Sequence, residues 1–308
     1  MTALDQGMNA GSSPVTSGAS RNLVIVRAGD NSLHRGWGAD DPGCKFDLIV
    51  SYYGADPSAF RQVYENRTDH KGGKWDGIHA LLSRQPDLLD RYEYIWFPDD
   101  DLEADRATIE AMFANMRRHD LHVAQPALTL DSYYTHLPFL RCKSFEFRLV
   151  DKIEIMAPCM RADVAAKMLP LFQQSMSGFG LDSLWTRLAA QNLGASAIFD
   201  ALPVRHTRPV GIHMVKAMAT SGRTAESEYR QLALQYGFGE FFPLSYGAVD
   251  RKGRRWRSRP IIGLRMVADY VVGRGNFRQT LKWKRRLWHV LRRQCSKPVD
   301  LAQIVLEP

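Results

Sequence analysis

Three consecutive carboxylates, Asp99, Asp100 and Asp101, follow the apolar and aromatic run 94–97 after a single residue, Pro98. Carboxylates this close together repel one another, and in a half-buried setting that repulsion has to be offset by positive charge. A hard divalent cation bound through oxygens, with phosphate as a co-ligand, would supply that charge. The alternative is a solvated acidic turn that caps the helix starting near Ala104, since Asp is common at helix starts.

The spacing within the triplet indicates how it would divide the work. In an extended or turning segment, residues two apart can aim at the same point while the residue between them faces away. Asp99 and Asp101 are therefore the expected metal ligands, and Asp100 is expected to contact a ribose or a neighbouring basic group. Such a site leaves metal positions open for phosphate oxygens, so it favours a diphosphate substrate whose leaving group the metal stabilises.

Strand-like and helix-like segments alternate along the chain. Short apolar, β-branched or aromatic runs predict strands, and apolar residues at helical spacing predict helices. The predicted strands are 23–26, 46–53, 94–97, 123–126, 152–156, 197–199 and 203–206, and the predicted helices are 76–84, 105–118, 161–174 and 182–191. This alternation predicts an α/β fold with a mostly parallel sheet flanked by helices. Ligands of such sheets bind beyond the carboxyl ends of strands, and the triplet lies at such an end.

Composition sets the domain organisation. The 308 residues are 45% hydrophobic, enough for a sizeable core. Residues 1–20 are rich in small and polar residues and are predicted to be a disordered leader, followed by a catalytic domain over 21–250. The four cysteines are scattered without the paired spacing of a zinc site or a disulfide framework. No run approaches the roughly 18 apolar residues of a membrane span. We expect a cytoplasmic protein.

The remaining segment, 251–308, is expected to be a basic, amphipathic helical tail. Between residues 251 and 293 there are fifteen Lys or Arg and one acid, Asp269. Cationic helices with Trp and Leu on the opposite face suit an anionic membrane surface, here the inner face of the cell membrane. A solvated appendage and a nucleic-acid surface are the alternatives, and nucleic acid is the least expected partner.

Several motifs together resemble a known superfamily. A hydrophobic strand ending in Asp-x-Asp resembles the metal motif of GT-A glycosyltransferases, which bind a nucleotide-sugar diphosphate through Mn²⁺ or Mg²⁺. The set Ala28-Gly29-Asp30-Asn31-Ser32-Leu33-His34, Lys71-Gly72-Gly73-Lys74-Trp75, Glu154-Ile155-Met156-Ala157-Pro158 and Ser177-Gly178-Phe179-Gly180-Leu181-Asp182 resembles a largely uncharacterised GT-A-like family of bacteria and plants. The resemblance runs from about residue 23 to about residue 238, and it implies a Rossmann-related fold.

The resemblance implies roles for two further residues. Asp182 follows a glycine-flanked loop and matches the carboxylate with which many GT-A enzymes deprotonate the acceptor hydroxyl. Its alternative is an N-cap of the following helix. His206 ends a late apolar segment and matches the histidine that completes the metal shell, and His213 is close enough to compete.

The remaining candidates are donor contacts. Cations near a diphosphate neutralise charge as the glycosidic bond breaks, which favours Arg27, Lys71 and Lys74. Asp30 ends the first strand, where a nucleotide pocket would begin. Glu154 lies in an apolar run and needs a partner if buried, and Arg148 is the expected partner, although a structural ion pair would explain both.

These observations predict a metal-dependent glycosyltransferase, of the inverting type, that moves a sugar from a nucleotide-diphosphate donor, preferably a UDP-sugar, to a hydroxyl acceptor. A lipid-linked glycan or surface polysaccharide is the expected acceptor, with Mn²⁺ or Mg²⁺ as cofactor. A metal-dependent nucleotide-sugar hydrolase, a nucleotidyltransferase and a non-catalytic nucleotide-sugar-binding module remain alternatives. The absence of a P-loop motif from the sequence disfavours other phosphoryl-group enzymes.

Overall fold

The structure is a computed structural model that describes residues 21–189, 196–211, 222–239, 242–278 and 282–299. The predicted leader 1–20 and the alternative metal ligand His213 lie outside the described residues. Among the described residues, none of the helices combines the length and the apolar character that crossing a membrane requires.

A mixed β-sheet forms the centre of the protein. Its strands are β1 Asn22–Ala28, β2 Asp47–Tyr52, β3 Arg67–Asp69, β4 Tyr94–Trp96, β5 Leu102–Glu103, β6 Val123–Leu128, β7 Phe145–Val150, β8 Cys159–Arg161, β9 Ser196–His206, β10 Ser245–Asp250 and β11 Arg255–Trp256. They lie in the order β11-β10-β7-β9-β6-β8-β4-β1-β2-β3, and β5 pairs with β9. In this order β7, β8 and β11 run opposite to the rest. The predicted α/β class with a mostly parallel sheet is confirmed.

Eight helices accompany the sheet in the described residues. They are α1 Lys74–Arg84, α2 Leu88–Arg91, α3 Arg106–Arg118, α4 Ala162–Met168, α5 Leu181–Ala189, α6 Ala225–Tyr236, α7 Arg259–Val272 and α8 Trp283–Ser296. The apolar face predicted for the first helix is buried, since Ile78, Leu81 and Leu82 are at most 3% exposed. Such burial, more than intrinsic propensity, stabilises helices of this length.

The central strands bring several chain segments to one edge of the sheet. β1 is buried along its whole length and lies in parallel between β2 and β4. The residues that leave the carboxyl ends of these three strands therefore emerge side by side. Arg27, Tyr53 and Asp99 meet at this edge, and the backbone of Asp99 forms a parallel bridge with that of Arg27.

Three predicted strands differ from the structure. Residues 197–199 and 203–206 belong to one strand, β9, and residues 152–156 form no strand. The backbone of residues 152–156 bonds to side chains instead of to a neighbouring strand. The N–H of Glu154 donates to Oε1 of Gln125 (2.6 Å), and the carbonyls of Ile153 and Ile155 accept from Trp185 and Lys74.

The predicted boundary at residue 250 does not coincide with a gap in packing. β11 pairs with β10, and Ser245 in β10 donates its N–H to Gln294 in α8 (3.1 Å). In α7, Tyr270 is fully buried and its hydroxyl donates to the carbonyl of Leu137 (2.9 Å). In the described parts of the basic segment, α7 and α8 therefore pack against the rest of the protein.

Candidate active site

The Asp triplet lies between β4 and β5. The N–H of Asp99 donates to the carbonyl of Met156 (2.7 Å), which ties the turn to the loop between β7 and β8. Asp100 and Asp101 are only 8% and 7% exposed. α3 is capped by a different residue, Asp105, whose carboxylate accepts a backbone N–H of the first turn. The alternative of a solvated turn that caps this helix is therefore wrong.

Asp99, Asp101 and His206 converge on one point. Each offers one ligand atom, and these atoms all lie within 4.8 Å of one another. The pairing of Leu102 with His206 between β5 and β9 brings Asp101 beside the imidazole. Nε2 of His206 lies 3.2 Å from Oδ2 of Asp101, and Nδ1 lies 2.9 Å from the carbonyl oxygen of Tyr133. A carbonyl can only accept, so Nδ1 carries a proton and Nε2 faces the carboxylates, the orientation typical of metal-binding histidines.

The electrostatics of this cluster favour a cation. Burial raises the pKa of Asp99, Lys74 opposes this shift, and the charge of Asp101 adds to it. Burial works to lower the pKa of His206, but the hydrogen bond to Asp101 and the charges of both aspartates raise that pKa to about 8. Two carboxylates and one imidazole suit Mn²⁺ well and Mg²⁺ less well. The residues present fit a divalent ion.

Lys74 and Asp100 border this cluster in different ways. Nζ of Lys74, at the start of α1, lies 2.6 Å from Oδ1 of Asp99 and 2.7 Å from the carbonyl oxygen of Ile155. Asp100 points elsewhere: its carboxylate accepts the N–H of Gly29 (2.8 Å) and Nη1 of Arg208 (3.2 Å). Burial raises the pKa of Asp100 to about 6, although Gly29 and Arg208 oppose the shift.

A cavity of about 770 Å³ opens over these side chains. Its volume lies within the range of small-molecule sites. The predicted site residues that line it are Arg27, Lys74, Asp99, Asp100, Asp101, Glu154, Asp182 and His206. The structure therefore brings together residues from β1, α1, the triplet, the loop between β7 and β8, the start of α5 and the end of β9.

Arg27 lines the cavity, yet its guanidinium is engaged by the protein itself. Its nitrogens donate to the backbone carbonyls of Ser51 (3.1 Å), His70 (2.7 Å), Gly72 (3.0 Å) and Gly73 (3.2 Å). Burial lowers its pKa to about 10. Arg27 thus fixes the loop that leads into α1 and carries Lys74.

Two other predicted donor contacts lie away from the cavity. Asp30 accepts from the hydroxyl of Tyr52 and from backbone N–H groups of the loop after β2, the nearest being that of Ala55 (3.1 Å). Nζ of Lys71 donates to the carbonyl of Tyr53 (2.7 Å). Asp30 and Lys71 therefore stabilise the end of β2 and the loop that follows it.

The clearest difference from the predicted site concerns Arg148. It is fully buried and forms a two-pronged ion pair with Asp200, with Nε 2.8 Å from Oδ2 and Nη2 3.0 Å from Oδ1. The expected pairing with Glu154 is wrong, and Arg148 does not line the cavity. Its partner is 52 positions away in sequence, beyond the reach of any local pattern.

Glu154 has an unusual environment for a carboxyl group. It lines the cavity at 3% exposure, and its Oε1 accepts from the hydroxyl of Thr135. Oε2 is buried and has no hydrogen-bond partner among the described residues. Burial raises the pKa of Glu154 to about 8, against the lowering effects of Thr135 and His206 and with further raising by Asp182 and Asp99. The group is therefore mostly protonated at neutral pH in the metal-free protein.

Asp182 enters the cavity from the first turn of α5. Its Oδ1 accepts the N–H of Gly180 (3.2 Å), so the carboxylate braces the turn before α5. Asp182 is the second residue of α5 and does not precede it as an N-cap would. Burial raises the pKa of Asp182 to about 7, opposed mainly by the charge of Lys152. Gly178 and Gly180 both have positive φ (79° and 95°), which side chains rarely adopt. The glycines therefore permit the turn that delivers this carboxylate.

A buried acid holds that glycine loop in place. Glu228, in α6, is 2% exposed, and its Oε2 accepts the hydroxyl (2.6 Å) and the N–H (3.0 Å) of Ser177. The same oxygen accepts from the hydroxyl of Ser175 (3.1 Å). No helix is predicted for the residues of α6, although this helix positions the loop before Asp182.

Other lining residues were missed as well. Tyr53 directly follows β2, and Arg208 lies two positions beyond β9, so the rule that selected the triplet could have found both. Thr135 and Tyr229 also line the cavity, but only long-range folding brings them there.

Part of the chain matches a family model. Residues 69–149 match the family described as "Protein of unknown function (DUF707)". This match confirms the predicted resemblance to an uncharacterised family. A search of curated protein sequences finds no match to the chain.

Solved structures with similarity to the chain include two enzymes with nucleotide sugars bound. The structure of TarS 1-349 from S. aureus in complex with UDP-GlcNAc is 13% identical, with 91% of this chain and 83% of that chain covered and a TM-score of 0.47. The glucosyl-3-phosphoglycerate synthase from Mycobacterium tuberculosis, in complex with Mn²⁺, UDP-glucose and phosphoglyceric acid, is 12% identical, with 77% and 86% covered and a TM-score of 0.44.

Proposed function

We propose that this protein is a metal-dependent glycosyltransferase that moves a sugar from a nucleotide-diphosphate donor to a hydroxyl acceptor. The observation that carries the proposal is the convergence of Asp99, Asp101 and His206 on one point. These three residues line the cavity at the carboxyl end of β4. Nε2 of His206 is oriented toward the carboxylates by the bond from Nδ1 to Tyr133. This arrangement is suited to a cation with positions left open for phosphate.

The carboxylates of Asp99 and Asp101 and Nε2 of His206 would hold Mn²⁺ or Mg²⁺. When bound, the ion neutralises negative charge on the departing nucleoside diphosphate. The ammonium of Lys74, next to Asp99, adds positive charge on the same side of the cavity. These groups together would favour departure of the diphosphate.

Asp182 is the proposed general base of an inverting transfer. A base works best when its pKa lies near the working pH, and burial brings that of Asp182 to about 7. Its carboxylate would take the proton of the acceptor hydroxyl as the oxygen attacks the sugar. The loop held by Glu228 fixes the position from which it does so.

Donor contacts are proposed for Lys74, Asp100 and Glu154, all of which line the cavity. Arg27 is instead a positioning residue, because the loop carbonyls take up its donors. A UDP-sugar is the preferred donor, and a lipid-linked glycan on the inner face of the cell membrane is the preferred acceptor. Synthesis of a bacterial surface polysaccharide or glycolipid is the corresponding process.

Calorimetry of UDP binding in the presence and absence of Mn²⁺ tests the metal site. We expect UDP to bind with Mn²⁺ and to lose that binding in Asp101→Asn. The matched control is Asp105→Asn, which changes a neighbouring carboxylate that only caps α3. Equal UDP binding by Asp101→Asn and the unaltered protein would refute the metal assignment.

Turnover separates the proposed reaction from the other candidates. The full chain is incubated with Mn²⁺ and UDP- or GDP-sugars, with and without hydroxyl acceptors. Transfer only with an acceptor supports a glycosyltransferase, and sugar released by water alone indicates a hydrolase. Formation of a nucleotide sugar from a nucleoside triphosphate and a sugar phosphate, assayed separately, would indicate a nucleotidyltransferase. Binding with no turnover of any kind would indicate a binding module.

A further inference from the structure

The outward face of α7 carries an apolar stripe. Ile261, Leu264 and Val271 are 44%, 56% and 47% exposed, and with Ala268 they repeat at helical spacing along one face. The opposite face is buried against the sheet and α8. The helix therefore has two apolar faces, of which the fold covers one.

The outward face of α8 is cationic and carries a tryptophan. Arg285, Trp288 and Arg292 are spaced by three and four residues and are all exposed, Trp288 by 66%. Leu287 and Val290 are buried on the inner face. The expectation that Trp and Leu lie on the face opposite the cations is thus wrong for Trp288, which shares the outward face with Arg285 and Arg292.

The two helices lie against each other. A Cβ built on Gly263 of α7 would come within 2.8 Å of Cγ of Gln294 in α8. We call the exposed side chains Ile261, Leu264, Val271, Val272, Arg285, Trp288 and Arg292 the C-terminal patch. Five of the nine large apolar side chains exposed in the described residues belong to it. Single exposed apolar residues are ordinary, whereas several on two neighbouring helices favour an interaction surface.

We propose that the C-terminal patch docks on an anionic lipid surface. Its apolar side chains would enter the interfacial region of the bilayer while the arginines meet lipid phosphates. The only acid between residues 251 and 293, Asp269, is engaged by the N–H (2.8 Å) and hydroxyl (3.0 Å) of Ser144. Charge complementarity thus points to an anionic partner.

Other occupants fit less well. A nucleic acid would satisfy the arginines but would leave the stripe on α7 exposed to water. A second copy of this chain would bring two strongly cationic surfaces together, which repel. A bilayer offers both an apolar phase and dense negative charge.

Vesicle sedimentation of the full chain, without donor or metal, tests this surface independently of the proposed reaction. We expect binding to vesicles of phosphatidylcholine and phosphatidylglycerol in equal parts and little binding to phosphatidylcholine alone. Failure of the protein to bind either vesicle would overturn the proposal, even if it proved to transfer sugars. Equal binding to both vesicles would also overturn it.

Two double variants separate the contributions. We expect Arg285→Gln with Arg292→Gln, and Ile261→Asn with Leu264→Asn, each to lower the partition coefficient by a factor on the order of ten. Leu234→Asn is the matched control, because Leu234 is 86% exposed on α6, outside the patch. An equal loss in the control, as judged on variants with unchanged circular dichroism, would overturn the assignment of the patch.

The competing occupants have their own readouts. Size-exclusion chromatography with light scattering would reveal a dimer that the Ile261→Asn, Leu264→Asn variant loses. Displacement from vesicles by a short oligonucleotide at equal charge would reveal a preference for nucleic acid. Either result would replace the lipid surface as the partner.

Discussion

Nζ of Lys74 lies 2.6 Å from Oδ1 of Asp99, one of the three side chains proposed to hold a divalent ion. Burial lowers the pKa of Lys74, and the charges of Asp99 and its neighbours counteract this shift. In the metal-free protein this ammonium therefore offsets part of the negative charge of the cluster. A bound ion and Lys74 would share the same carboxylate.

Replacing Lys74 should make the cluster depend more strongly on metal. We expect Lys74→Met to unfold more easily without metal, because the carboxylate of Asp99, 31% exposed, loses its partner. The cost should stay below the roughly 3 kcal/mol of breaking a fully buried ion pair. Mn²⁺ alone should then raise the Tm by more than it does in the unaltered protein, since it no longer shares Asp99 with an ammonium. Differential scanning fluorimetry with and without Mn²⁺ measures both effects.

Lys71→Met is the control for that experiment. Lys71 belongs to the same segment, but its Nζ binds loop carbonyls and not the cluster. Its response to Mn²⁺ should match that of the unaltered protein. A smaller Mn²⁺ shift in Lys74→Met than in Lys71→Met would contradict the shared-carboxylate interpretation.

The pKa of Asp182 predicts how activity depends on pH. A general base acts only when ionised, so kcat/KM should rise with pH through about 7 and then level off. Asp182→Asn should lose this rising limb together with most of the activity. Initial-rate measurements across the pH range, with a fixed donor and acceptor, test this. An unchanged limb in a residually active Asp182→Asn would assign it to another group.

The raised pKa of Asp182 also predicts that the free energy of unfolding falls as pH rises, whereas activity rises. The folded protein holds a proton on Asp182 up to about pH 7, whereas the unfolded chain releases it near about pH 4. Between these values the unfolded state binds fewer protons, so the free energy of unfolding falls as pH rises, by up to about 4 kcal/mol. Asp182→Asn should lack this fall. Urea denaturation of both proteins with metal chelated, below and above this window, gives the difference.

Glu154 should act as a hydrogen-bond donor through Oε2, the oxygen without a partner. Glutamine presents an N–H at the same place, so Glu154→Gln should bind a UDP-sugar almost as well as the unaltered protein at neutral pH. Glu154→Leu should bind it on the order of ten times more weakly. Calorimetric titration with UDP-glucose and Mn²⁺ distinguishes the variants. Equal losses in both would mean that Glu154 contributes as an anion.

Local patterns sufficed for the elements that carry the metal cluster. β1, β2 and β4 are compact apolar runs, and α1 and α3 have apolar residues at helical spacing, so each is readable within a short window. The rule that ligands lie beyond the carboxyl ends of parallel strands then pointed to Asp99 and Asp101.

Other features depend on partners that are distant in sequence. β7 contains Arg148, whose charge disfavours a buried strand unless a partner neutralises it. That partner is Asp200 in β9. The alternating run 152–156 satisfies the strand pattern, but side chains from distant segments take up its backbone groups. Neither interaction can be read from a short stretch of sequence. For this reason β7 was missed and a strand was wrongly predicted at 152–156.

The pair of Arg148 and Asp200 yields the last prediction. Both side chains are fully buried, and Asp200 also accepts the N–H of Cys142 (2.7 Å). Arg148→Met would leave a carboxylate without its counter-charge, and we expect it to lower the free energy of unfolding by about 3–5 kcal/mol. Asp200→Asn should cost comparably, and the double variant Arg148→Met, Asp200→Asn less than the sum of the two. Urea denaturation measures these differences. The folded fraction of Arg148→Met should bind UDP with Mn²⁺ normally, because Arg148 lies away from the cavity. A variant of unaltered stability with weakened UDP binding would instead return Arg148 to the donor site.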